Sequence, residues 1–319
     1  MQYRRLPGTD LRISRLCLGT WVFGTRVAEA ESIGMIHTAL DAGVTFFDTA
    51  DSYGEGASER VLGKALAGRR NRVVLATKVG CLPGDKTDLT AAHIEKAVTG
   101  SLERLQTDHL DICYFHAPDH DTPLEQSLRA MHGLIEAGKV RNFGLSNYAA
   151  DQLRHACRLC HEPGLHRPVV AQNVYNLLAR RLEPELLPCC KELGVGITVF
   201  NPLAGGLLTG KHSAAAAPTA GTRFAWNKKY RGRYWNQSNF EAVRALAEIA
   251  GNTGKTLIEL ALQWCMAQRQ IDAVIIGASR IGQLEENLRA WHGTLDGDTL
   301  AACDAIWEHV KNVACPYSR

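Results

Sequence analysis

Eight short apolar runs punctuate the chain, and each ends in polar or glycine-bearing residues. They read LGTW (18–21), FFDTADSY (46–53), VVLATK (73–78), DICYFHAP (111–118), FGLSN (143–147), VVAQN (169–173), ITVFNPLAGG (197–206) and AVIIGAS (273–279). Their ends fall near Thr20, Asp48, Lys78, His116, Ser146, Gln172, Phe200 and Gly277. The first six intervals are about 26–38 residues, the length of one strand, one helix and the return. A period of that size calls for a repeat architecture. Between the runs, apolar residues recur at i, i+3 and i+4, as in Ile94, Ala97, Val98, Leu102 and Leu105. The pattern predicts helices over 29–42, 58–66, 91–105, 124–136, 149–159, 184–193 and 256–268.

Runs such as VVLA, VVA and AVII are apolar throughout, as strands of a parallel sheet covered on both faces must be. Together these features predict an α/β fold, a (β/α)8 TIM barrel forming one domain over residues 1–319. Residues 2–5 and 12–14 flank a Pro-Gly-Thr-Asp turn and predict an N-terminal β-hairpin that plugs the bottom of the barrel. The interval from Phe200 to Gly277 is more than double the others, with the excess in an insert at about 211–240. A long loop after a barrel strand usually serves the site, so this one is expected to form a flap closed by a helix at 239–250. Segment 296–310 is expected to add a C-terminal helix outside the barrel.

Composition narrows the function. Hydrophobic content of 45%, charge of 22% and a net charge of +3 fit a globular protein with a large core. No Lys/Arg stripe is present, and Arg69, Arg70 and Arg72 read as a solvated loop, so no nucleic-acid partner is expected. No apolar stretch reaches about 20 residues, so no membrane partner is expected either. The ten cysteines, without an apolar leader, predict reduced thiols and a cytoplasmic protein, monomer or homodimer.

A barrel gathers all its strand ends on one face, so residues distant in sequence share a pocket. Asp48, Lys78 and His116 each end a run, and Tyr53 follows Asp48 by five positions. A phenol has an ordinary pKa of about 10 and is a weak acid at neutral pH. A neighbouring ammonium favours its phenolate and is expected to lower that pKa, while a carboxylate keeps the ammonium charged. An imidazole in reach orients a carbonyl oxygen. The set suits proton donation to a carbonyl group that accepts hydride. Singly, each residue has a plainer role: Asp48 as a helix cap, Tyr53 as a loop aromatic, Lys78 as a solvated or Schiff-base lysine, His116 as a backbone partner. Arg223, Arg231 and Arg233 in the insert are either a solvated basic loop or an attraction for a carboxylate-bearing substrate.

Several motifs fail on inspection. GGLLTGKH at 205–212 lacks the hydroxyl that a phosphate-binding loop needs for Mg²⁺. Cys157-Arg-Leu-Cys160-His161 matches a haem-attachment pattern but lies on a predicted outer helix, and Cys189-Cys190 has no second pair for zinc. No metal is expected. GEGASE at 54–59 lacks the last glycine of a Rossmann fingerprint.

FFDTADSYGEG, LATKVG, LDICYFHAPD, FGLSNY, AQNVYN, FNPLAGGLLTGK and IIGASRIGQLEEN resemble the motifs of the aldo-keto reductase family, in family order. HAPDHDTP, SNYA and the later RYW are most similar to the branch of aflatoxin-aldehyde and succinic-semialdehyde reductases. The resemblance implies an NADPH-dependent reductase of aldehydes or ketones, with a small-molecule carbonyl substrate. By it, Tyr53 is the acid, Lys78 and Asp48 tune it, and His116 orients the carbonyl. Ser146, Asn147 and Gln172 would hold the nicotinamide carboxamide, and Phe200 would stack on the ring, near Gly19, Thr20, Trp21 and Asp48. Backbone of Asn201, Leu203, Gly205 and Gly206 through Lys211 would wrap the pyrophosphate. From Gly277 on, Ser279, Arg280 and Gln283 would meet the 2′-phosphate, and Glu286 and Asn287 the adenine. Potassium-channel β-subunits resemble the same family, which leaves a redox-sensing binding module as the alternative.

Overall fold

Eight parallel strands close on themselves in a computed structural model, which describes residues 1–161 and 164–318. Strands β1 (Tyr3–Arg5) and β2 (Arg12–Ser14) pair as an antiparallel hairpin. The barrel follows: β3 (Leu16–Gly19), β4 (Phe46–Asp48), β5 (Val74–Val79), β6 (Leu110–Phe115), β7 (Val140–Ser146), β8 (Val170–Val174), β9 (Gly196–Phe200) and β10 (Ala273–Ile276). Each pairs with its sequence neighbour, and β10 closes the ring by pairing with both β9 and β3. The helices lie where the periodicity put them, within a residue or two at the ends, for instance Ala57–Ala65, Ala91–Leu105 and Leu124–Glu136. Local chemistry fixes those ends: Thr256 and Glu259 form a capping box, and Gly194 ends Leu186–Leu193 in the left-handed region.

Strand parity decides what faces the lumen. Cys17, Phe46, Val74, Ala76, Ile112, Tyr114, Val170, Ala273 and Ile275 pack with one another inside the barrel. Their neighbours Leu18, Phe47, Leu75, Cys113, Leu145, Ala171, Val199 and Val274 belong to the outer core beneath the helices. Side chains alternate with period two. Asp48, Lys78 and His116 therefore stand two residues beyond inward-facing Phe46, Ala76 and Tyr114, and must also face inward. Leu6 and Ile13 of the hairpin join the inner cluster and close the bottom of the barrel. Gly196 permits this, because a Cβ there would meet Leu6 Cδ1 at 2.6 Å.

Two features add to or correct the sequence-based expectation. The insert holds short helices Arg223–Trp226 and Lys228–Tyr234, and the helix after it, Gln237–Asn252, packs on the last helix, Gly297–Val310, while its first turn holds the end of the insert through Phe240 on Trp235 and Asn239 donating to the Tyr234 carbonyl. Arg70 is not solvated. Its guanidinium pairs with buried Asp111 at 2.7 Å and donates to Thr107 Oγ1 and the His109 carbonyl. Asp111 also accepts from the Leu75 amide at 2.9 Å and from Arg141 at 3.2 Å. One carboxylate thus ties β5, β6 and β7 together at their N-terminal ends. Asp111→Ala strands these donors, and the expected loss is about 3 kcal/mol, read as a lower urea midpoint. A loss below about 1 kcal/mol contradicts this bracing role.

Candidate active site

The lumen opens at the C-terminal ends of the strands, where Asp48, Lys78 and His116 meet. Burial opposes charge on Lys78, yet Asp48 and then Tyr53 more than offset it and hold the ammonium above its ordinary pKa. A lysine ammonium has three N–H bonds. Here they go to Asp48 Oδ1, to the Thr49 carbonyl at 2.8 Å and to Tyr53 Oη at 3.3 Å. The other Asp48 oxygen accepts from Gln172 Nε2 at 2.9 Å. Asp48 is no helix cap; the helix Ala57–Ala65 has no side-chain cap at all.

Tyr53 Oη accepts from Lys78 and keeps its own O–H as a donor. The His116 ring stands edge-on to the Tyr53 ring, centroids 5.8 Å apart. Burial pushes the Tyr53 phenol above its ordinary value; Lys78 pulls it down and Asp48 adds to the rise. The expected net lowering by Lys78 does not occur. Desolvation outweighs a cation whose charge is largely spent on Asp48. The phenol consequently keeps its proton through the neutral range.

Hydroxyl and carboxylate groups behind the site hold it in place; the sequence reading missed Ser58 and Glu59 and gave Thr20 a place beside the nicotinamide instead. Thr20 Oγ1 donates to the Asp48 carbonyl and contacts Ser58 Oγ at 2.6 Å, which in turn reaches Thr49 Oγ1. Thr20 is fully buried and its hydroxyl is spent, so it props the backbone instead of facing the pocket. Glu59 accepts from Thr77 and Arg104, both at 2.6 Å. Between these layers Asp51 Oδ1 is buried without a hydrogen-bond partner among the described residues. Burial, and then the charge of Glu59, push Asp51 up to about 7.

The other residues named from sequence line two arms of the same face. In the first, Ser146 and Gln172 are register partners on β7 and β8. Asn147 follows in the left-handed region (φ 64°) and donates to the His116 carbonyl at 2.8 Å. Phe200 ends β9, and Gly19, the register partner of Asp48, ends β3. Along the second arm Asn201, Gly205 and Gly206 all take positive φ, which turns the chain tightly after β9. Asn201 Oδ1 fixes this turn by accepting from the Gly205 amide at 2.7 Å. A Cβ at Gly205 would meet Tyr230 at 2.7 Å, so glycine is required there. Leu203 is half-buried in this turn, and exposed Gly277 just follows β10.

The far end of this arm is cationic. Burial, followed by the charges of Arg280 and Arg223, lowers the Lys211 pKa from its ordinary value. Among the described residues no carboxylate pairs with Lys211, Arg280 or Arg223. Ser279 and Gln283 are bonded to each other at 3.0 Å, Glu286 is exposed, and Asn287 is buried. A glycine turn leading to Lys211, Arg280 and Arg223, with exposed Glu286 only partly offsetting their charge, fits a dinucleotide diphosphate.

Over the mouth, the insert supplies an aromatic cover. Tyr230 stacks on Trp21 at 5.7 Å and Trp226 packs against the same ring at 5.5 Å. Arg223 lies over Trp21 and Tyr230, and Arg26 over Trp226. Arg233 approaches Tyr230, whereas Arg231 is exposed. Tyr234 latches the insert by accepting from Asn176 and Asn201.

Comparison with known proteins follows the same lines. A family model described as "Aldo/keto reductase family" matches residues 15–308. The chain is 37% identical over 331 residues to a mouse protein named aflatoxin B1 aldehyde reductase member 2, covering 98% of this chain and 89% of that one. It is 38% identical over 319 residues to human aldo-keto reductase family 7 member A3, with 94% and 95% covered. A rice protein named probable voltage-gated potassium channel subunit beta is 38% identical over 300 residues, 91% of each chain.

Asp51 gives a signature in pH. The folded chain keeps its proton up to about pH 7, whereas the unfolded chain releases it near its ordinary value of 3.8. Between those values the folded state binds the extra proton, so stability falls as pH rises and levels off above 7. Asp51→Asn is expected to match the parent near pH 4 and to exceed it at pH 8 by up to about 4 kcal/mol. Parallel urea midpoints across that range contradict the assignment.

Proposed function

The chain belongs to the aldo/keto reductase family and is an NAD(P)H-dependent oxidoreductase, and from that premise we propose that it uses NADPH to reduce an aldehyde or ketone, with Tyr53 as proton donor. Bound reduced nicotinamide supplies the hydride. The observation that carries the rest is the Lys78 Nζ to Tyr53 Oη hydrogen bond at 3.3 Å, backed by the buried Asp48–Lys78 pair. Tyr53 receives one hydrogen bond from Lys78 and directs its own proton at the carbonyl oxygen. As charge grows on that oxygen, the phenol proton moves to it and Lys78 stabilises the phenolate left behind. The ring of His116 borders the same spot and orients the carbonyl.

A Schiff-base role for Lys78 is disfavoured by its geometry, because all three N–H bonds are engaged and Asp48 holds the charge. Arg280, Lys211 and the Ser279–Gln283 pair support a preference for the cofactor that carries the extra phosphate. Ser146, Asn147 and Gln172 would hold the carboxamide, and Phe200 would stack on the nicotinamide ring. The aromatic cover of Trp21, Trp226 and Tyr230 favours aldehydes with an apolar body, and Arg223 at its edge favours an added carboxylate. The relatives named as potassium-channel subunits support a second reading, a cofactor-binding partner protein, which predicts NADPH binding with negligible aldehyde turnover.

Tyr53→Phe is expected to lower carbonyl reduction by at least about 100-fold while NADPH affinity, followed by fluorescence, changes by less than about twofold. Comparable turnover in the variant removes Tyr53 as the acid. Arg280→Ala is expected to weaken NADPH by about tenfold or more and leave NADH nearly unchanged. Equal weakening of both cofactors refutes a role in reading the 2′-phosphate.

A further inference from the structure

At the opposite end of the barrel, three side chains from two segments converge on one point. His132 and Glu136 stand four residues apart on the helix Leu124–Glu136, so they share a face. His166 reaches them from the segment before β8. Its Nε2 lies 2.8 Å from Glu136 Oε1, and its ring stands 5.1 Å from the His132 ring with 37° between the planes. One ligand atom from each residue falls within 4.8 Å of the other two.

Two imidazoles and a carboxylate are a borderline donor set, suited to Zn²⁺ and its neighbours rather than to Ca²⁺ or Mg²⁺. Ligands about 2.1 Å from one ion stand at most about 4.2 Å apart. Closing the last few tenths of an ångström needs rotation of the half-buried His132 ring, whose Nδ1 now accepts from the His166 amide at 3.4 Å, and of the exposed His166 ring, whose bond to Glu136 the ion would replace. The i, i+4 spacing supplies two ligands from a rigid element, and the third comes from a separate strand approach. Neither cysteine motif of the sequence is involved. Thirty positions separate Glu136 from His166, so no local spacing signals the group.

We infer that His132, Glu136 and His166 form a binding site for a divalent transition-metal ion of the zinc class, with water in the remaining position. The ion clamps the C-terminal end of the helix Leu124–Glu136 to the segment entering β8. It lies at the N-terminal ends of the strands, away from Tyr53 and Lys78, where a barrel is held together and chemistry is absent. The ion's role is therefore structural, and binding raises the stability of the folded chain by mass action.

Co²⁺ titration of the full chain, stripped with chelator and followed by visible absorption, tests this, with Zn²⁺ as competitor. One ion per chain is expected, displaced by Zn²⁺, together with a rise in melting temperature on adding Zn²⁺. His132→Ala and His166→Ala are each expected to weaken Co²⁺ by at least about 100-fold and to abolish the melting shift, with unchanged metal-free circular dichroism and carbonyl turnover. The parent failing to bind Co²⁺ up to millimolar concentration overturns the site. So does binding of equal strength in the parent and both variants, which places the metal on other histidines or cysteines.

Discussion

A lysine charge held inside a protein is the constraint around which this barrel is arranged. Lys78 is 1% exposed and Asp48 3%, and neither would be tolerated there alone. Their pairing is acceptable because the remaining valences are met: the Thr49 carbonyl and Tyr53 on the ammonium, Gln172 on the carboxylate. Removing any of them leaves a polar group stranded in low dielectric, which costs more than the contact itself contributes. The hydroxyls of Thr20 and Ser58 follow from this demand, since they fix the Asp48–Thr49 segment, and Glu59 braces Thr77 beside Lys78.

Much of this arrangement was readable from residue order. A parallel strand buried on both faces is apolar until it leaves the barrel, so the polar end of each run marks the rim. Asp48, Lys78, His116, Ser146 and Gln172 were located that way, and period-two alternation sends all five inward. Thr20 marks where this rule slips by one position. The strand ends at Gly19, and the next side chain turns back into the wall to bond Asp48 and Ser58.

What stayed hidden depends on distance in space. The Arg70–Asp111 pair spans a whole strand–helix unit, so three nearby arginines looked like a solvated loop. The helical insert was recognisable as an excess of chain and its rings as material for an apolar wall, but which rings would meet was not, because a stack such as Trp21 on Tyr230 leaves no periodic trace. The direction of the Tyr53 pKa was misjudged for a related reason. Sequence reveals which charges are present but not how far water is excluded, and here exclusion dominates.

Inward and outward positions along each strand are one residue apart, and this has a consequence for how the fold tolerates change over time. Losing a single codon from β5 or β6 would swing Lys78 or His116 beneath a helix and carry an apolar outer residue to the rim. Insertions between strands meet no such barrier, as the enlarged return after β9 illustrates. Lineages descended from such a barrel should thus diversify by growing and pruning their returns while strand length stays frozen, or changes two residues at a time.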